Sequence, residues 1–154
     1  MRKHWIGFLL LPLAVGGLAA WLTKDSMEQF AALAQPPLSP PGWAFPVAWT
    51  LLYLLMGLAS WLVHKASAPQ ADKKRALALY GVQLAVNFCW PLLFFRAGAY
   101  GTAFWWLVLL LALVLATMVA FGRIDRRAAY LLVPYVLWLL FAGYLNAGVW
   151  ALNG

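Results

Sequence analysis

Apolar runs separated by short polar or basic turns fill the 154-residue chain. Five of them, at about 5–22, 44–63, 76–95, 102–121 and 128–150, are long enough to cross a bilayer as helices, which takes roughly 20 residues each. None has the period-two alternation of a barrel strand. The pattern predicts an all-α membrane protein: a single domain over residues 1–154, built as a bundle of five transmembrane helices. Arg2, Lys3 and His4 ahead of the first run also describe a secretory signal, with 17–20 as a loose cleavage region. We expect the segment to remain as the first span.

The longest connection, 23–43, joins the first two spans. Ser26 as N-cap, with Met27, Phe30, Ala31 and Ala34 on one face, suits a short interfacial helix over 26–34. Beyond it, Pro36, Pro37, Pro40 and Pro41 fix φ and remove backbone donors, which excludes ordinary helix. This proline segment passes through Trp43 straight into the second span, so the long first loop reads as a rigid lid. A polar linker is expected at 66–75, a tight turn at 97–101 and a basic turn around 123–127.

Composition agrees with a bilayer environment. Hydrophobic residues make up 66% of the chain and charged ones only 10%, where a soluble domain carries about 25% charge. The net charge of +7 raises nucleic acid as a partner, but the cations sit in short loops, so topology explains them and no nucleic acid is expected. Five spans put Arg2, Lys3, Lys65, Lys73, Lys74, Arg75, Arg123, Arg126 and Arg127 on one side, with Lys24 and Arg96 on the other. The positive-inside rule then places the N-terminus in the cytoplasm and the lid and C-terminus outside, most simply in a bacterial plasma membrane. The lone Cys89 reads as a small packing residue.

No Asp, Glu, Lys, Arg or His lies within a span away from its ends, which argues against an ion- or proton-driven pump. His4 and His64 sit at membrane edges with no second ligand nearby, so neither a metal site nor a histidine-held haem iron is expected, and no cofactor is required. Uncharged polar and aromatic residues remain, and they fall in stripes. Phe45, Trp49 and Tyr53 share a face of the second span; Gln83, Asn87, Trp90 and Phe94 share one on the third; Tyr135, Trp138, Ala142, Leu145 and Asn146 share one on the fifth. Most of these positions fall in the outer half of the membrane, with Trp138 nearer its midplane, so three stripes converge under the lid. Read from spacing alone, the same residues serve equally as interhelical hydrogen-bonding and packing groups.

Trp5, Trp21, Trp43, Trp61, Trp105 and Trp150 suit the interfacial belt, and Trp106 is compatible with a lipid-facing position. Small residues step by four at Gly81, Ala85 and Cys89 and at Ala112, Ala116 and Ala120, each either a dimer seam or an intramolecular contact. Ala142 and Gly143 leave a notch beside Trp138 suited to a planar ligand.

Three ordered segments, PPGWAFPVAWTLLYLLMGLAS, QLAVNFCWPLLFF and VPYVLWLLFAGYLN, carry a resemblance to the translocator protein / tryptophan-rich sensory protein (TspO/MBR) family over nearly the whole chain. The resemblance implies a five-helix bundle, often a homodimer, with a pocket closed by the first loop that takes porphyrins and drug-like ligands of the benzodiazepine site. It implies that Trp49 and Trp138 contact ligand and serve as the catalytic pair if light-dependent porphyrin breakdown occurs. It also makes Asn87 a pocket hydrogen-bond donor, Ala142 a small neighbour, and Trp43, Phe45 and Trp90 aromatic lining. The set expected to bind ligand is thus Trp43, Phe45, Trp49, Tyr53, Gln83, Asn87, Trp90, Trp138, Ala142, Leu145 and Asn146.

The chain departs from the family at Gln29-Phe30, where a Trp-Tyr pair is common, at Gln35, where a basic residue is common, and at Leu38, where an aromatic is common. Ala147 and Ala151 replace the tyrosine and basic residue of the cholesterol motif of animal members, which disfavours sterol recognition through it. Three functions follow as expectations. The first is a membrane binding protein or sensor for porphyrins and other flat apolar ligands. The second is light-dependent porphyrin degradation by the pocket tryptophans. The third is a facilitative carrier of porphyrin or lipid-like molecules.

Overall fold

The computed structural model describes residues 4–41 and 43–153, which leaves Arg2, Lys3 and Gly42 outside the described residues, together with the side chains of His4 and Met27. Helix α1 spans His4–Thr23, followed by a tight turn at Lys24–Ser26 and the short α2, Met27–Ala31. Then come α3 (Ala44–Lys65), α4 (Gln70–Pro91) with a wide turn over Leu92–Arg96, α5 (Tyr100–Ile124), α6 (Arg126–Leu131) and α7 (Val133–Asn153). Five helical segments are long and apolar enough to span a membrane, and no strand occurs among the described residues.

The spans pack in a ring. α1 contacts α3 and α4, α4 contacts α5, α5 contacts α6 and α7, and α6 returns to α3. At the end of the bundle remote from the lid, α1 and α3 meet backbone to backbone. A Cβ on Gly57 would lie 2.6 Å from the Phe8 carbonyl oxygen and 2.8 Å from the Leu9 Cα. Only glycine permits that approach.

Several boundaries differ from the sequence expectation. The polar linker is confined to residues 66–69, because α4 starts at Gln70 and takes Asp72, Lys73, Lys74 and Arg75 into its first turns. Pro69 opens that helix with its carbonyl accepting from the Asp72 and Lys73 amides at 3.1 and 3.2 Å, and Asp72 suits the positive end of the helix. Lys73 folds back so that its Nζ donates to the His64 and Ala66 carbonyls at 2.9 and 3.0 Å, closing the α3–α4 connection. The fifth span is broken at Leu132, two residues before Pro134, whose missing N–H interrupts the helical ladder. Ser26 makes no side-chain cap, since the preceding turn runs into α2 with helical backbone. α2 is anchored by one residue, Phe30, buried against Phe45, Phe94 and Phe95, while Glu28, Gln29 and Ala31 are exposed.

Pro91 deprives α4 of a donor, and the chain responds with a widened turn in which the Ala97 amide bonds to the Leu92 carbonyl at 2.9 Å. The widening lets consecutive Phe94 and Phe95 both face inward. Most of both small-residue stripes faces outward: Gly81, Ala85, Ala112 and Ala116 are exposed, Cys89 is half-buried, and Ala120 is half-buried against the core.

Candidate functional site: a lidded aromatic cavity

A cavity of about 680 Å³ lies between the C-terminal half of α1 and the N-terminal half of α3, beneath α2 and the proline lid. α3 contributes Phe45, Pro46, Trp49, Thr50 and Tyr53, and the lid contributes Gln35, Pro40, Pro41 and Trp43. Asn87, Pro91 and Phe95 of the third span line it from α4 and the wide turn. The face the sequence concealed is α1, whose Leu13, Gly16, Gly17, Ala19, Ala20 and Thr23 line the cavity. A run of Gly and Ala facing a cavity reads like one facing lipid, so periodicity carried no signal; the cluster of small residues was the one available hint.

Of the expected set, Trp43, Phe45, Trp49, Tyr53 and Asn87 line the cavity. Gln83, Trp90, Trp138, Ala142, Leu145 and Asn146 do not; apart from half-buried Trp138 they are buried in the bundle interior. Trp138 touches the lining rings from the side away from the cavity, meeting Trp49 and Phe45 edge-on, each at 6.1 Å between centroids. Its indole N–H is buried without a hydrogen-bond partner. Trp49 stacks on Tyr53 at 5.7 Å and 28°. The notch expected at Ala142 and Gly143 is closed, with Ala142 buried and Gly143 facing Leu107.

The interior polar groups form two chains. Tyr53 Oη donates to Asn87 Oδ1 at 2.6 Å, Asn87 Nδ2 to Tyr135 Oη at 2.7 Å, and Tyr135 Oη to Gln83 Oε1 at 2.9 Å. Trp90 Nε1 donates to Asn146 Oδ1 at 3.0 Å, and Asn146 Nδ2 to the Tyr100 carbonyl at 2.8 Å. Asn87 thus reaches the cavity with its oxygen and one of its two amide protons already bonded, and Tyr53 Oη keeps an acceptor lone pair. Trp106 faces the bundle rather than lipid, donating to the Val86 carbonyl at 2.8 Å.

The wall hydroxyls are spent locally, Thr23 on the Ala19 carbonyl at 2.9 Å and Thr50 on the Pro46 carbonyl at 2.6 Å. Lys24 is the one charged side chain among the described lining residues, its ammonium 5.4 Å from the centroid of the Trp21 ring. The cavity can therefore hold a flat apolar body between aromatic and small-residue walls and meet an anionic group beside Lys24.

The profile of the TspO/MBR family matches residues 8–151. The chain is 38% identical to the translocator protein of Bos taurus over 99% of this chain and 94% of that one. It is 38% identical to the tryptophan-rich sensory protein of Cereibacter sphaeroides, over 99% and 95% respectively. Against the tryptophan-rich protein TspO of Chlorobaculum tepidum the identity is 35%, over 93% and 91%.

Proposed function

The chain belongs to the TspO/MBR family, and from that premise we propose that it is an integral membrane binding protein, a sensor, for porphyrins such as protoporphyrin IX and other flat apolar ligands. The observation that carries this reading is the lidded cavity of about 680 Å³ with Trp49, Tyr53, Phe45 and Phe95 on its walls. Its size falls within the range of about 300–1,000 Å³ of ordinary ligand sites. A macrocycle there stacks on aromatic faces, accepts a bond from no wall hydroxyl, and sets a carboxylate near Lys24. The names of bacterial relatives, among them a tryptophan-rich sensory protein, are compatible with sensing. In this reading the protein sits in a bacterial plasma membrane with its N-terminus cytoplasmic, and the outward Gly81, Ala85 and Cys89 stripe is the face offered to a second copy.

One contact favours a second reading, light-dependent porphyrin breakdown. Trp49 on the wall touches Trp138 behind it, so an oxidising event at the ligand has two indoles in series to draw on.

The test is a titration in the dark with protoporphyrin IX, following tryptophan fluorescence of the wild type, Trp49→Ala and Trp138→Phe. Saturable quenching, weakened about tenfold by Trp49→Ala through loss of aromatic contact and little by Trp138→Phe, is the expected result. Linear quenching alike in all three proteins sinks the tetrapyrrole reading. Illumination of the saturated complex then separates the two activities: a binder returns its ligand unchanged, and a degrading protein accumulates a new pigment.

A further inference from the structure

Proline leaves the lid unable to hold itself. Pro36, Pro37, Pro40 and Pro41 carry no N–H, and the turn at its tip puts Leu38 in the left-handed region at φ 69° with its side chain 85% exposed. Ser39 spends both its amide and its hydroxyl on the Pro36 carbonyl, at 3.3 and 2.7 Å. Gln35 Nε2 ties the segment to the Phe30 carbonyl at 3.0 Å, and the remaining ties come from the far end of the chain. The Asn153 amide grips the Ala34 backbone at both groups, its Oδ1 accepting from the Ala34 N–H at 3.1 Å and its Nδ2 donating to the Ala34 carbonyl at 2.6 Å. Its Nδ2 also donates to the Val149 carbonyl at 2.9 Å, which ties the side chain to its own helix. Tyr144 Oη donates to the Pro37 carbonyl at 2.6 Å. Between them Pro36 is buried on Gly148, where a Cβ would come within 2.5 Å of the proline ring.

These contacts alternate with the cavity wall. Ala34, Pro36 and Pro37 turn to α7, while Gln35 between them lines the cavity. We propose that the C-terminal turns of α7 are the latch of the lid: Asn153 and Tyr144 are positioning residues, Gly148 is the seat, and together they set how fast ligand enters and leaves. None of the three lines the cavity. The bonds to Ala34 and Pro37 reach backbone carbonyls and an amide, so they hold the strap whatever its side chains are. They also give α7, which offers no wall residue, a direct hold on the site.

The first readout needs no ligand. In a Cys89→Ser background carrying Gln35→Cys, the rate of thiol labelling from solution reports opening of the lid. Asn153→Ala is expected to raise that rate about tenfold, from the loss of two hydrogen bonds to the Ala34 backbone, both exposed. Gly148→Val raises it by unseating Pro36, and Tyr144→Phe covers the case in which a harsher variant fails to fold. With protoporphyrin IX as the probe, association and dissociation rate constants rise together in Asn153→Ala, and their ratio moves by less than about threefold. Labelling unchanged in Asn153→Ala and Gly148→Val overturns the latch. Faster labelling with both ligand rates unmoved overturns its gating role. Faster labelling in a protein whose wild type never saturates with protoporphyrin IX leaves the latch standing and removes the tetrapyrrole reading instead.

Discussion

The two halves of the bundle that meet along α3 handle polar groups in opposite ways. On the cavity side, three wall groups bond within their own segments, Thr23 to Ala19, Thr50 to Pro46, and Gln35 Nε2 to the Phe30 carbonyl at 3.0 Å, while Tyr53 and Asn87 turn from the wall toward the filled side. On the filled side the amides, indoles and phenols bond across helices, Tyr53 to Asn87 to Tyr135 to Gln83, Trp90 to Asn146, and Trp106 to Val86, and the small hydroxyls of Ser60 and Thr117 bond back to their own helices. In hydrocarbon an unpaired polar group costs several kcal/mol, roughly, which makes the buried and unpartnered Gln83 Nε2 and Trp138 Nε1 of the filled side exceptions to an otherwise paired interior. Local pairing lets two helices stand apart without stranding a donor. Cross-helix pairing holds them together. The same helix, α3, does the first with Thr50 and the second with Tyr53, one turn deeper.

The hollow half can stay open because α1 and α3 are closed tightly below it. Gly57→Ala forces a methyl group against the Phe8 and Leu9 backbone, and backbone cannot rotate out of the way. We expect the largest effect here, a destabilisation of roughly 1–3 kcal/mol, read as a lowered melting temperature in detergent. An unaltered melt would mean that the two spans are free to separate at that end, and the account of the cavity as a wedge between fixed helices would fail.

The contrast between local and cross-helix pairing is sharpened by a matched pair of substitutions. Asn87→Leu removes the acceptor of Tyr53 and a donor to Tyr135, at a cost of about 1–2 kcal/mol given the modest worth of hydrogen bonds between membrane helices. Thr50→Val removes a hydroxyl bonded only to its own helix, and should cost less than about 0.5 kcal/mol. Equal losses from the two, measured by thermal or denaturant unfolding, would dissolve the distinction.

The sequence made the span count, the lid and the stripes on α3 and α4 legible, because charges and prolines punctuate the chain and the aromatic spacing is helical. It misassigned depth. Trp90 shares the face of Asn87, a true lining residue, yet lies in the bundle interior, and the whole stripe of α7 that holds Leu145 and Asn146 misses the cavity, since a shared face says nothing about which neighbour fills the space before it. It missed α1 for a different reason. Leu13, Gly16, Gly17 and Ala20 are apolar whether they face a ligand or lipid, so hydrophobic contrast, which separates inside from outside in water, vanishes in a bilayer. Asn153 was invisible too: a lone polar residue at the end of a span acquires meaning only once the lid is seen to run beside it.

Outside the membrane the rules change, and the smallest expected effect lies there. Asp125 opens α6 by accepting from the Arg127 amide at 2.9 Å, and its carboxylate takes two bonds from the Arg127 guanidinium at 3.1 and 2.8 Å. The guanidinium bond first, then the backbone bond and the nearby charges of Arg127 and Lys65, outweigh partial desolvation and hold the carboxyl below its ordinary value. A carboxyl lowered on folding stabilises the fold above its unfolded value, and the contribution fades as pH falls through the lowered one. Asp125→Asn keeps a capping oxygen and loses the charge. It should therefore melt slightly below wild type at neutral pH, with the gap closing as the medium is taken below the usual carboxylate range. Added salt should narrow the same gap, because this pair is screened by water, whereas the Asn87→Leu deficit, buried among neutral partners, should not respond to salt at all. A salt-sensitive Asn87→Leu, or a salt-blind Asp125→Asn, would show that the boundary between the two regimes has been drawn in the wrong place.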